Sequence, residues 1–411
     1  MLNVEQEKER SKLWVILMLI VILLVVCFFA WYVNGKSLNF FNQNSKVAEN
    51  NVIEKQNPKT TAISSNVLFT GNVYWGRYIN DWSMASDLKY AYPFSRLNEF
   101  NRDSYDAWIS GLECPTKTGV NMTSSEEDST LTFNCSPEYI PEASKWFTAF
   151  TLANNHTDNQ GPEGLAETKQ HLEKNDIQYF GNPDPNVIDD ICEVISLPVT
   201  VKKDDGSSQA GKLPVAMCGY HAVFQLPTQE SVDIISEYSD IMPVIAFPHM
   251  GKEYQSTPDD LKINFYRSLI DGGAEMVIGD HPHWIQTSES YNGHLIVYSM
   301  GNFIFDQQDT SEVVRSAAVR VVIDSSLNES DLLDKWLELG KTCNIFHDDC
   351  LEKAKDQKLS KLDLTYKIGI IGSNDADKIV KPANEEQQAN ILQRLNWQNT
   401  INNLQTPYSS L

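Results

Sequence analysis

Apolar runs recur along this chain, and each stops at a polar or histidine-bearing turn: NVLFTGN, DAWISGLE, AFTLANNH, MPVIAFPHMG, EMVIGDHPH and HLIVYSMGN. Helical stretches such as GPEGLAETKQHLEKND and PDDLKINFYRSLIDGG lie between several of them. Strands that are apolar throughout, with helices interposed, are buried on both faces, so the pattern calls for an α/β core. Ligands in such cores bind beyond the carboxyl ends of the strands. Asn72, Glu113, Asn155, His156, His249, His281 and His283 all stand at such ends. Each alone has an ordinary reading, a histidine satisfied by backbone or an asparagine shaping a turn, and it is the set that points to a site.

The residue types narrow the chemistry. Neutral imidazoles with one carboxylate and amide oxygens suit Mn, Zn or Fe, one ion or two, rather than calcium. In the GDHPHW segment, Pro282 biases His281 toward extended backbone, and residues two apart on an extended segment point to one side. Both rings are therefore expected to face one metal pair.

Outside this core the chain divides by composition. Leu13 to Val33 is 21 residues without a charge, which at ~1.5 Å rise per residue matches a bilayer core of ~30 Å. Its bulky FFAWYVNG end lacks the small residues of a cleavage site, so an uncleaved single-pass transmembrane anchor is expected. Lys8, Arg10 and Lys12 before it, against Lys36 and Lys46 after it, lean toward an internal N-terminus. The expected organisation is a cytoplasmic tail (1–12), anchor (13–33), polar linker (34–65), globular domain (66–324) and a C-terminal extension with helices and a strand (325–411). Cys27 lies in the anchor, leaving six cysteines beyond it: Cys114, Cys135, Cys192, Cys218, Cys343 and Cys350. An even number outside the membrane suits disulfides, and sequential pairing would close short local loops. The net charge of −22, from 33 Lys and Arg against 55 Asp and Glu, argues against nucleic acid as a partner.

The segments LANNH, PHMGKEY, GDHPHWIQ and YSMGNFIFDQ, in this order and spacing, resemble the capsule biosynthesis protein CapA family, associated with poly-γ-glutamate synthesis and export in bacteria. That family is similar in fold to the calcineurin-like metallophosphoesterases, so the resemblance implies an α/β/β/α sandwich with a two-metal site over about Asn66 to Asp324. It implies Glu113 as the acid bridging the metals, and Asn155, His249 and His281 as ligands of the second. His283 and Asn72 fall to the first, His156 stands where a leaving group would be stabilised or protonated, and Arg77 where an anionic substrate would be held.

Two positions depart from the family pattern. Its first motif reads Gly-Asp where this chain has Gly71-Asn72, and Asn159 stands where an Asp is usual three residues after the motif histidine. Asn72 can coordinate but brings no charge, which leaves Glu113 as the sole matched anionic ligand; Asp158 and Asp280 are the candidates for compensation. Two functions stay open. One is a metal-dependent hydrolase of phosphoesters or related bonds; the other is a non-catalytic component of a capsule synthesis and export complex at the bacterial cell membrane, its main domain extracytoplasmic, meeting other membrane proteins and an anionic polymer. A polyanion would be repelled by the global charge, and near the motifs only Arg77, Lys252 and Arg267 offset it.

Overall fold

One long strand organises the molecule. β1 (Thr60–Val73) alternates buried and half-buried residues in its first half and is buried throughout its second, as expected of a strand that leaves a sheet edge and enters a two-sided core. The structure, a computed structural model, describes residues 58–325, 330–343 and 349–411. The anchor expected over 13–33 lies outside the described residues, as does most of the expected linker; among the described residues no helix is long and apolar enough to cross a membrane.

After β1 the strands are β2 (Ala107–Leu112), β3 (Ala149–Thr151), β4 (Gln178–Phe180), β5 (Cys192–Lys203), β6 (Ser208–Ala222), β7 (Val244–Met250), β8 (Met276–Ile278), β9 (Ser288–Tyr291), β10 (His294–Val297), β11 (Asn302–Ile304), β12 (Arg315–Ser325), β13 (Leu364–Asn374), β14 (Lys381–Pro382) and β15 (Tyr408–Ser410). The beginning of β1 pairs antiparallel with β5, whereas its end pairs parallel with β2 and β11. From this branch point one parallel block runs β1-β2-β3-β4. A second, β6-β7-β8-β10, is reached through the antiparallel β5–β6 hairpin. The fold is mixed α/β, as the apolar runs require.

Alternation along the first block shows which face meets what. Val67, Phe69, Ala107, Ile109 and Ala149 pack with Ile195, Val215 and Val277 of the second block's core, whereas Leu68, Trp108 and Phe150 pack into a separate cluster with Phe94, Leu97, Ile140 and Leu172. The helix Gly161–Lys174 belongs to the latter, opened by a proline in its first turn, with Gly164, Thr168 and Leu172 buried at four-residue spacing. Helices Gln229–Ser239 and Asp260–Asp271, capped by Thr228 and Asp259, pack on β6 to β8.

The extension beyond 324 continues the sheet. β13 lies antiparallel along β12 over eleven residues, and β14 and β15 add to β13. Trp336, 1% exposed, joins the core from helix Ser330–Thr342. All three sequential disulfides are present: Cys114–Cys135, Cys192–Cys218, directly opposed across β5 and β6, and Cys343–Cys350.

Candidate functional site

The carboxyl ends of both parallel blocks meet at one cluster. Asn72 comes from the end of β1, Glu113 follows β2, Asn154 to His156 follow β3, His249 is on β7, and Asp280 to His283 follow β8. Two Gly-Asn pairs fix the first corner: Asn72 is in register with Asn302 of β11, and the Asn72 amide donates to the Gly301 carbonyl. A Cβ on Gly71 would stand 1.8 Å from that same Gly301 oxygen, so the two backbones meet only because position 71 carries none.

Three donor atoms converge in one half of the cluster. His249 Nε2 lies 2.7 Å from Asn155 Oδ1 and 3.1 Å from His281 Nδ1. His249 Nε2 thus stands between an amide oxygen and a second ring nitrogen, a lone pair for a metal when the ring proton is on Nδ1 and a donor to Asn155 Oδ1 when it is on Nε2. Ligands at ~2.1 Å around one metal are ~3.0–3.4 Å apart, close to the spacing found here. Burial, above all, holds both rings far below the usual histidine range, so both are neutral and free to coordinate.

The other half gathers oxygens. Asn72 Oδ1, Glu113 Oε2 and both Asp280 carboxylate oxygens are buried without a hydrogen-bond partner. Burial, then the Asp280 charge, pushes the Glu113 carboxyl well above its usual range. His283 Nδ1 donates to Asn302 Oδ1 at 2.8 Å, which leaves the Nε2 lone pair facing Glu113 Oε1 at 3.6 Å. That is the orientation an outer residue imposes on a metal-binding histidine. Among the described residues no three His, Cys, Asp or Glu side chains form a ready metal cage; the convergent set is two imidazoles and an amide. The orphaned oxygens and neutral imidazoles nonetheless make a donor set of the borderline-metal type.

The expected extended geometry of HPH is not what holds these rings. His281 and His283 have φ of +92° and +60°, left-handed values that cost side-chain-bearing residues ~1–3 kcal/mol each and collect at functional sites. The turn sends His281 toward His249 and His283 toward Glu113, with ring centroids 6.1 Å apart.

His156 is beside this cluster, its Nδ1 donating to Asn159 Oδ1 at 3.0 Å and its ring 4.1 Å from Phe133. Burial lowers its pKa to about 4. Both line a cleft of about 580 Å³ with Glu113, His283, Tyr254 and Arg77. Arg77 is not free to hold a substrate anion: Nε and Nη2 bond Asp306 at 2.9 and 2.8 Å, and Nη1 lies 3.3 Å from Asp128. Of the other two cations expected near the motifs, Arg267 is held by Glu289 and the exposed Lys252 lies 3.8 Å from Asp259, while Lys378 lines the cleft over the Trp82 ring. Of the two candidates for charge compensation, Asp158 is exposed at the surface while Asp280 is 0% exposed inside the cluster.

Several residues escaped the sequence reading. Asn154 joins the His249 ring to the His156 amide, Tyr254 stacks on His283, and His221 pairs across from His249 in the β6–β7 register. Asn302 and Asp306 stood in view, inside YSMGNFIFDQ, but nothing in spacing alone says that one orients His283 and the other holds Arg77.

Residues 66–187 and 207–307, just over half of the chain, match the profile of the family described as bacterial capsule synthesis protein PGA_cap. The PGA biosynthesis protein CapA of Bacillus subtilis (strain 168) is 27% identical over 266 residues, covering 61% of this chain and 67% of that protein. The capsule biosynthesis protein CapA of Bacillus anthracis is 23% identical over 266 residues, with the chain spanning only 62% of its length. A solved structure titled as a novel phosphatase from Mycoplasma pneumoniae superimposes with a TM-score of 0.34 at 14% identity, covering 65% of this chain and 90% of that one, too loosely to assign a shared fold.

Proposed function

We propose, from the premise that this chain belongs to the bacterial capsule synthesis protein family, that it is an envelope component of capsule synthesis and export, anchored by Leu13–Val33 with residues 66–411 outside the cytoplasm. Its core is of the metallophosphoesterase type, and its working site is a cleft that takes one or two divalent metals. The observation that carries this reading is the convergence of His249, His281 and Asn155 beside three residues with orphaned oxygens. His249, His281, Asn155 and Glu113 would hold one metal and Asn72, His283 and Glu113 the other. A metal bound there would supply Lewis-acid polarisation of a phosphoryl or acyl oxygen.

The polymer most in keeping with the relatives' names is poly-γ-glutamate, a polyanion. Arg77 and Arg267 are paired to carboxylates and Lys252 is near one, which leaves Lys378, over the Trp82 ring at the cleft, as a single cation against a charge of −22. Attraction for such a chain then falls to the metals themselves or to partner membrane proteins. The second reading, metal-dependent hydrolysis, is favoured by His156, which lines the cleft together with Glu113 and His283.

The test uses the full chain purified in detergent, with metal content measured for the parent and for His281→Ala, and the same pair returned to a strain lacking the gene. Bound Mn, Zn or Fe in the parent, its loss in the variant and a matching loss of surface polymer are expected. Unchanged metal in the variant would reduce GDHPH to an ordinary turn. Protease added to spheroplasts should degrade the portion after the anchor, and full protection would reverse the topology.

A further inference from the structure

The search for a group with no task in the cleft as described ends at Asp280. Its side chain is 0% exposed and neither oxygen makes a well-formed hydrogen bond, with the neighbouring His281 amide close to it, a costly state for a carboxylate that is otherwise enclosed by protein. A neutral carboxylic acid would fare no better, because its O–H would still need an acceptor. The cation whose charge reaches it, Lys262, is turned elsewhere: its Nζ donates to the Met250 carbonyl at 2.7 Å and sits 5.1 Å from the centre of the Tyr266 ring. Asp280 is therefore not explained as half of a salt bridge.

Its position is explained by what it faces. A Cβ built on Gly111 would meet Asp280 Oδ2 at 3.2 Å and Asn72 Oδ1 at 3.9 Å, so both orphaned oxygens lie around the same point. Glu113, the residue that follows β2 and two beyond Gly111, carries a further unpartnered oxygen, Oε2. The backbone of Asp280 is clamped: its amide donates to the Pro248 carbonyl at 3.0 Å, and its carbonyl accepts from the Met250 amide at 3.3 Å. The carboxylate is thus held toward Asn72 and Glu113 by the sheet itself rather than by a flexible loop. Three residues from three strand ends carry four buried oxygens without a partner, two of them around the Gly111 Cβ position, and a set of carboxylate and amide oxygens of this kind suits a cation.

We propose that Asp280 is a metal ligand, supplying to the first metal position the carboxylate that Asn72 lacks. The proposal rests on the metal-cleft reading above and goes beyond it by relocating the anionic charge from the end of β1 to the end of β8. It also gives Gly111 a purpose, since a side chain there would press on the Asp280 carboxylate.

The probe is Mn²⁺ alone, added to metal-stripped full-length protein, with bound metal per chain, affinity and the Mn²⁺-induced rise in melting temperature as readouts. Changes one shell further out already cost ~10–100-fold in metal affinity, so Asp280→Asn should weaken one site by more than tenfold and shrink the melting shift. Asn72→Asp/Asp280→Asn should restore both, because the charge returns to the β1 end. Without metal, Asp280→Asn should melt no lower than the parent, since it removes an unpaired buried charge. Full Mn²⁺ content and an unchanged melting shift in Asp280→Asn, while His281→Ala loses metal, would overturn the Asp280 assignment and leave the metal-cleft reading standing. A parent chain that binds no Mn²⁺ would overturn both. Should Asp280→Asn fail to fold, the double variant decides: full metal content supports the assignment, and absence of the first metal overturns it.

Discussion

Removing the Asp306 carboxylate separates scaffold from substrate handling in the cleft. In Asp306→Ala the Arg77 guanidinium, 7% exposed, loses two bonds of 2.9 and 2.8 Å and keeps the exposed Asp128 at 3.3 Å and the faces of Tyr74 and Phe133. A buried charge left by its partner costs ~3–5 kcal/mol. Spread over roughly 350 folded residues at ~2.1 cal/mol/K each, the unfolding entropy is about 0.7 kcal/mol/K, so the melting temperature should fall by ~4–7 °C. Calorimetry on the variant measures this, and Arg77→Met/Asp306→Leu should recover most of it, because the pair is then replaced by apolar packing. Added phosphate supplies the second readout on metal-stripped protein: it should raise the melting temperature of Asp306→Ala, whose guanidinium now seeks an anion, and leave the parent unmoved. A fall below ~1 °C, or a parent stabilised by phosphate as strongly as the variant, would show that Arg77 is free for anions after all.

Cys114→Ser/Cys135→Ser opens a loop of sequence separation 21 and should lose about 3 kcal/mol of stability in urea titration, with unchanged stability refuting the bond. His156 has a folded pKa of about 4 against an ordinary 6.5 because it is buried. The unfolded chain therefore takes up the proton first as pH falls, so this contribution is complete above about 6.5 and is lost between 6.5 and about 4; metal-stripped His156→Gln should show a flatter stability profile across that window, and an identical slope would contradict it. Gly71→Ala forces a Cβ to within 1.8 Å of the Gly301 oxygen, so the Gly-Asn pairs must separate; melting should drop by more than for Asn72→Ala, and equal melting would show the close approach to be dispensable.

The strand ends and their ligand types were legible because an apolar run reports burial on both faces and its last polar residue reports the open end. The partner of each run was not. Nothing in TTAISSNVLFTGNV says that β1 trades β5 for β2 halfway along, because each contact is made by different residues of one continuous strand. The extension was legible as helices and one strand, yet β13 had to find β12 through an eleven-residue register set by pairing rather than by local pattern. The extended reading of HPH failed for a related reason: proline biases the residue before it, but tertiary contacts to His249 and Asn302 hold both histidines at positive φ. Sequence also could not rank Asp158 against Asp280. The first follows a histidine in a surface turn and the second precedes one in a buried turn, a difference of burial that spacing does not encode.

The two asparagines that depart from the family pattern act on different functions of the cleft. Asn72 removes charge from the metal side, and Asp280 stands where it can return that charge. Asn159 removes charge from the His156 side: its amide oxygen orients the ring at 3.0 Å and gives it the correct tautomer, but offers no carboxylate to stabilise the protonated form. Burial above all lowers the His156 pKa to about 4, and the Asn159 hydrogen bond raises it only in part; acid catalysis draws its ~10²–10⁴-fold from a donor whose pKa is near the working pH. Metal binding needs only the ligands and the charge, whereas turnover also needs a proton delivered. On the first side Asp280 offers the carboxylate that Asn72 lacks, whereas on the second Asn159 orients the His156 ring and adds no charge.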